Sequence, residues 1–484
     1  MRLCSPLYCL LLLVLLGCTT QQDQKQFADT SRLHAENEGL VVDCMRKIGK
    51  KDIQRRIQFQ ECLYDTDGSI TSLFHSTLYY PQEIGLRFDG FIVGLEKSPR
   101  GRITEDGKVL VHPIVDAGLP NASDSAKKIN DGKLLFVSHI LRNAAVPGAT
   151  SNCALYNAYD VTVGTVTTRQ LVDYCNGTEI LRTKPEEAFQ NSWKALDKLK
   201  GSISSAVESG KYTHVLIVTM GWNTEQVEAV RNMNSIAGNF VNSSQVKANP
   251  LVIGLTWPSM WISKWVDPVI KVASFPSKAE DADEVGLTWL GVLLHETVPA
   301  ALGRSQIPVI AIGHSFGGRA TITAACVGPI ISPSTKALPR GQIDTAIIFQ
   351  GAFLSEQLFA STPAKFHYPL GCPNVGKLAL TSSVADKANN IPFWGTYSGD
   401  DRTFKKYCAT SANAGRVSCA WARADGQLPT VKPGNFGNIM FINADSLINE
   451  HAYGTGGGAH SDIFRREHGT LINAVLQDHT GTGK

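Results

Sequence analysis

The chain has 484 residues, 43% hydrophobic and 18% charged, with 46 Lys and Arg against 43 Asp and Glu. That apolar content supports a substantial buried core, and the length suits one large domain or two ordinary ones. A formal net charge of +3, with no basic tract interleaved with aromatics, argues against a nucleic-acid partner.

Residues 1–18 read as an address rather than as fold. Arg2 supplies a positive start, Leu10 to Leu16 an apolar stretch, and Leu15-Leu16-Gly17-Cys18 follows. The apolar run is short for a stable membrane span. The segment resembles a bacterial lipobox, in which the cysteine is lipidated and becomes the new N-terminus; the alternative is an ordinary secretory signal. The resemblance implies a membrane anchor at Cys18. Thr19, rather than an aspartate, follows it and implies the outer membrane. The polar run from Thr19 to Lys25 looks like a tether.

Of eleven cysteines, Cys4, Cys9 and Cys18 belong to this segment. The even number left, in an oxidising compartment, permits disulfides. Close spacing suggests Cys44 with Cys62, Cys153 with Cys175, and Cys408 with Cys419, although spacing does not prove connectivity. Cys326 could equally be a buried free thiol. No CxxC pair and no metal-type Cys/His spacing occurs, so neither a zinc site nor another cofactor is implied.

Residues 19–185 hold the tether and an N-terminal region of uncertain fold. Apolar runs at Leu134 to Val137 and the alternation Tyr159 to Val163 suggest short strands. They belong either to a separate domain or to the opening of the main sheet. The text becomes regular from residue 186 to the C-terminus. Phe189, Trp193, Leu196, Ile203 and Val207 keep helical spacing, with Gly210 placed to end the helix. Val215 to Val218 reads as a strand buried on both faces. After it, Asn223 with Gln226 forms a cap for a helix through Val230, Met233 and Phe240. A strand at Leu251 to Leu255 runs into Trp257-Pro258-Ser259, and a long apolar helix follows over Glu284 to Leu302. Val309 to Ile312 is the next strand, and a helix of small residues spans Gly318 to Val327. Further strands are expected at Ala346 to Phe349, Lys377 to Leu380 and Asn438 to Ile442, and a last helix from Ser461 onward. Strands alternating with helices predict an α/β fold, a mostly parallel sheet with helices on both faces.

Between the strand ending at Ile312 and the next helix lies Gly313-His314-Ser315-Phe316-Gly317. A G-x-S-x-G alone means little in a chain with 43 Gly. At a strand-to-helix turn it is the context of a nucleophile elbow, where the two glycines relieve crowding around a strained serine. A serine hydroxyl needs a base, and the base an orienting acid. In chain order Ser, acid, His, the histidines after Ser315 are His367, His451, His460, His468 and His479. His460, in a glycine-rich loop beside a helix start, is the preferred base and His451 the alternative; His468 is expected on a helix surface. Asp386, a few residues past a buried strand, is the preferred acid. Asp400 and Asp401 sit in a turn that looks solvated. An oxyanion would need backbone donors, and the N–H groups of Phe316 and of Trp222, in "TMGWN", are the candidates.

With these segments in hand, the chain from about Val215 onward resembles the α/β-hydrolase superfamily. It is similar to a poorly characterised group whose oxyanion strand ends in His-Gly-aromatic-Asn; here "MGWN", "TWPS", "SSVADKAN" and "GAHSDIF" occupy the group's positions. Met220 replaces the usual histidine. The resemblance implies a serine hydrolase cleaving an ester or related acyl bond, with an acyl-ester-type substrate and a catalytic domain over 186–484. The competing reading is a surface-binding lipoprotein that kept the fold and lost turnover. Apolar insertions at Trp261 to Phe275 and Phe353 to Phe366 suit either a lid or packing.

Overall fold

The computed structural model describes residues 85–97, 135–146, 149–157, 174–176, 188–221, 226–245, 247–257, 279–334, 338, 341–359, 368–390, 396–409, 417–450 and 457–477. The signal segment, Cys18, Cys44, Cys62, the Tyr159 to Val163 alternation and the Trp261 to Phe275 insertion lie outside them.

The Val/Ile/Leu runs become the inner strands of one sheet of eleven. Its strands are β1 (Gly90–Lys97), β2 (Leu135–Val146), β3 (Ala149–Asn157), β4 (His214–Thr219), β5 (Pro250–Thr256), β6 (Val309–His314), β7 (Ile343–Phe349), β8 (Val375–Ser382), β9 (Val417–Trp421), β10 (Thr430–Lys432) and β11 (Phe436–Asn443). The spatial order is β10-β9-β11-β8-β7-β6-β4-β5-β1-β2-β3. Pairing from β1 through β5, β4, β6, β7, β8 and β11 to β9 is parallel. Only β2, β3 and β10 join antiparallel. The sequence had left open whether the N-terminal strands form a domain of their own; β1, β2 and β3 instead extend the main sheet beyond β5. Val218, Ile253, Ile312 and Ile347 are fully buried, as strands covered on both faces require.

Helices cover the two faces. On one lie α1 (Ala188–Glu208), α3 (Ala279–Leu302) and α4 (Phe316–Cys326); on the other lie α2 (Gln226–Ser243) and α5 (Arg466–Gln477). Trp289 anchors the first layer. Its ring meets Phe189 at 4.8 Å and Trp193 at 4.9 Å, and its indole N–H donates to the Leu135 carbonyl at 2.8 Å. By length and composition α3 could cross a membrane, yet 78% of its apolar window is buried in the protein, which makes it a core helix here. On the opposite face Asn473 of α5 donates to the Phe240 carbonyl at 3.0 Å. The last helix begins at Arg466 rather than near Ser461. Asp462 is committed elsewhere, its carboxylate accepting the backbone N–H groups of Asn449 and Glu450 and the Arg465 guanidinium.

Of the expected disulfides, Cys153–Cys175 and Cys408–Cys419 are present. Cys326 is no free thiol: it pairs with Cys372, 46 residues away, and ties the end of α4 to the loop entering β8. Close spacing could not reveal that pair, because only the fold brings the two together. The Phe353 to Phe366 insertion is packing where it is described. Phe353 is fully buried, and the Phe359 ring meets Tyr407 in a tilted contact at 4.8 Å. Peptide mapping without reductant is expected to recover Cys326 linked to Cys372. Cys372→Ser should lower stability by about 4 kcal/mol, the loop-closure value for that separation. Free alkylation of both thiols, or an unchanged unfolding midpoint, would contradict this.

Candidate active site

The parallel register aligns the carboxyl ends of the central strands. Thr219 of β4 pairs with Gly313 of β6, and His314 with Phe349 of β7. The residues that follow these strands therefore meet at one edge of the sheet, where the open sites of parallel sheets lie. Ser315 is the first of them. It sits between β6 and α4 with φ 55° and ψ −124°, a left-handed conformation that costs a non-glycine residue on the order of 1–3 kcal/mol and is held only by its surroundings. Its N–H donates to the Phe349 carbonyl at 3.1 Å, and its carbonyl accepts from Ala352 and Arg319, each at 3.1 Å.

Glycine is required around it for contact reasons. A Cβ on Gly317 would lie 2.3 Å from the Thr219 carbonyl oxygen and 2.4 Å from that of Met220. One on Gly221 would lie 2.8 Å from Ser315 Cβ. The turn after β4 thus presses its backbone directly against the serine and the first turn of α4. Trp257, the tryptophan of "TWPS", fixes that turn by donating its indole N–H to the Met220 carbonyl at 2.9 Å. Met220 itself is buried. Phe316, whose N–H was one oxyanion candidate, opens α4 directly after the serine. Trp222, the other, lies outside the described residues, as do Asn223, His367, His451 and His479.

Asp386 and His460 are brought together as the sequence reading expected. The Nδ1 of His460 lies 3.0 Å from both carboxylate oxygens of Asp386. The Asn389 amide nitrogen also stands 3.5 Å from Nδ1, but its two hydrogens go to the Gln350 carbonyl and to Asp386. Nδ1 therefore carries the proton toward the carboxylate, which leaves Nε2 with its lone pair. Asp386 is 1% exposed. Burying a carboxylate without donors would be costly, and the loop supplies them. Asn389 gives its backbone N–H to Oδ1 at 3.1 Å and its amide to Oδ2 at 2.7 Å. Gln350 gives its amide to Oδ2 at 2.9 Å. The Thr381 hydroxyl donates to Gln350 Oε1 at 3.0 Å and so sets which end of that amide faces the acid. Sequence reasoning missed Gln350 and Asn389. Signals did exist: an amide just past a buried strand in "IIFQG", and one three residues after the acid in "SSVADKAN".

Ser315 Oγ has no hydrogen-bond partner among the described residues. What joins the histidine to the elbow is His314, whose Nε2 lies 2.8 Å from the His460 carbonyl while the two rings stand 4.8 Å apart. Burial, and then the neighbouring His460, push the His314 imidazole down to about 3.

Two expectations about rival residues need correction. Asp400 is not solvated but fully buried. It caps the short helical turn Asp401–Phe404 and takes the Arg402 backbone N–H at 2.9 Å and its guanidinium at 2.5 Å. Asp401 pairs with Lys405. His468 lies on α5 as expected, but on its inner face, 1% exposed and edge-on to Phe349 at 6.2 Å. The spacing of His468 with Leu471, Ile472 and Val475 puts it on the apolar stripe. Burial depresses its imidazole to about 4.

An imidazole paired through Nδ1 with a buried carboxylate, and linked through His314 to the strained turn that carries Ser315, has the residue types that nucleophilic acyl chemistry uses. Comparison with protein-family models, with curated proteins and with solved structures returns no match.

His139, fully buried in β2, is likewise depressed to about 3 by burial. Its folded value, and those of His314 and His468, lie below the unfolded value of 6.5. Below 6.5 the unfolded chain takes up protons that the folded chain refuses until about 3 to 4. Stability is therefore complete above 6.5 and falls as pH drops, by up to about 1.4 kcal/mol per pH unit per imidazole. Thermal unfolding should show a midpoint several degrees lower at pH 5 than at pH 7.5; equal midpoints would mean these imidazoles are not buried neutral.

Proposed function

We propose that the chain is a serine hydrolase of the α/β-hydrolase type, cleaving an ester or related acyl bond through an acyl-enzyme. The observation that carries the reading is the hydrogen-bonded Asp386–His460 pair at the sheet edge where Ser315 holds its left-handed turn. Three disulfides suit an oxidising compartment and favour export; the Cys18 anchor to the cell envelope is part of the same proposal.

In the proposed reaction, His460 Nε2 takes the Ser315 Oγ proton as Oγ attacks the acyl carbon, and the carbonyl oxygen becomes an oxyanion. Backbone N–H groups of Phe316 and of the turn after β4, here Trp222, stabilise it. The imidazolium, steadied through Nδ1 by Asp386, then protonates the leaving oxygen. Water attacks the acyl-serine by the same route in reverse: Nε2 takes its proton, and the collapse returns that proton to Oγ.

A fluorophosphonate should label the wild-type protein and leave Ser315→Ala unlabelled. With p-nitrophenyl butyrate as substrate, Asp386→Asn is expected to lower kcat on the order of 10⁴-fold with little change in KM, since the amide holds the wrong imidazole tautomer. Asp401→Asn, which loses its ion pair with Lys405, should cost less than about tenfold. A wild type that neither labels nor hydrolyses would favour the binding-lipoprotein reading, and equal losses at Asp386 and Asp401 would remove Asp386 as the acid.

A further inference from the structure

We infer that His314, the residue before the serine, is a positioning residue that latches the His460 loop to the nucleophile's strand; the inference rests on the hydrolase reading above. The base directly follows Gly457-Gly458-Ala459, where Gly458 holds a φ of 62° that glycine reaches at little cost. A glycine pair just before the base does not by itself hold an imidazole to the few tenths of an ångström that proton transfer needs.

Most of what restrains the loop runs to the acid's side. Ala459 N–H donates to the Ala385 carbonyl at 2.8 Å, Lys387 N–H to that of Gly457 at 2.9 Å, and Asp386 bridges Gly458. These bonds, with the Asp386–His460 pair, make acid and base one unit. Toward Ser315 that unit is tied only indirectly, through Gln350, which donates to Asp386 and lies between Phe349 and Ala352, the two residues that bond the Ser315 backbone. Among the described residues, the hydrogen bond that crosses from this unit to the elbow is His314 Nε2 to the His460 carbonyl, at 2.8 Å. His314 is the last residue of β6 and is fixed in the sheet by pairing with Phe349. Phe464, just past the base, closes on the same ring at 6.3 Å.

The chemistry of the contact explains why a histidine serves here. A carbonyl only accepts, so Nε2 of His314 bears the hydrogen and donates. Deep burial keeps the ring uncharged at working pH. His460 can therefore become an imidazolium 4.8 Å away without facing a second positive charge. The same facts rule out His314 as a substitute base: its protonated nitrogen is committed, and it does not titrate near neutrality. Lys or Arg could donate as well, but would put a permanent cation beside the imidazolium.

The test compares His314→Leu, which fills the space without a donor, with His314→Gln, which returns an amide N–H near the Nε2 position. Both are assayed with p-nitrophenyl butyrate from pH 5 to 9, with fluorophosphonate labelling rates and unfolding midpoints in parallel. His314→Leu should lower kcat by roughly 10- to 100-fold, the scale of a small misplacement of a catalytic group, with KM within about twofold. His314→Gln should recover kcat to within about fivefold and leave the pH limb of kcat/KM where the wild type has it. Equal losses in both variants, tracking their unfolding midpoints, would reduce His314 to packing and overturn the proposal. So would His314→Leu at full kcat, or a limb displaced by His314→Gln, which would make His314 a titrating participant. A wild type that fluorophosphonate does not label sinks the hydrolase reading, and the latch with it. A labelled wild type with an unaffected His314→Leu sinks the latch alone.

Discussion

A carboxylate with 1% exposure governs how three loops of this protein are built. Asp386 has no Lys or Arg partner among the described residues, so its oxygens are satisfied by N–H groups from Gln350, Asn389 and His460. Those donors come from the ends of β7 and β8 and from the segment after β11. Removing one would leave a buried charge short of partners, the expensive direction of that asymmetry. The need to surround Asp386 also accounts for Gln350 holding φ 48°: its amide must reach the acid, and Thr381 keeps it there. Gly399 follows from the same crowding, since a Cβ there would come within 2.3 Å of the Asn389 amide nitrogen.

The second constraint is steric. β4 and β6 are adjacent and parallel, so the turn leaving β4 and the elbow leaving β6 compete for one space. Glycine at 221 and 317 resolves the competition by bringing backbone to backbone. The turn is then held by an indole from the next strand, Trp257. Met220 contributes its carbonyl to that bond and its side chain to the core. A hydrogen-bonding histidine at this position is therefore not needed for the turn to be fixed. Strain at Ser315 is sustained in the same way, by bonds to Phe349 and Ala352 on the neighbouring strand and loop.

These two arrangements are linked through His314, which belongs to the elbow and touches the base. The acid–base pair is otherwise tied to the serine only indirectly, through Gln350, which bonds Asp386 and lies between Phe349 and Ala352, the two residues that bond the Ser315 backbone. The crossing contact is one hydrogen bond and two ring contacts, made by a residue that would otherwise be read as a spacer within G-x-S-x-G.

Much was legible from local pattern, because local pattern reflects local physics. Alternating strand and helix periods identified the parallel sheet, since a strand buried on both faces has to be apolar throughout. The glycines of "GHSFG" marked the strained turn at Ser315, and the contact between Asp386 and His460 could be anticipated from their distance past particular strands. The tertiary structure decided what depends on neighbours remote in the chain: that β1 to β3 complete the main sheet, that Cys326 meets Cys372, that Asp400 and His468 are buried, and that Gln350 and Asn389 serve the acid. A short-range pattern says whether a residue sits on a strand end or a helix face. Only packing decides which other strand ends and faces it meets, and therefore which polar groups are enclosed and must find partners.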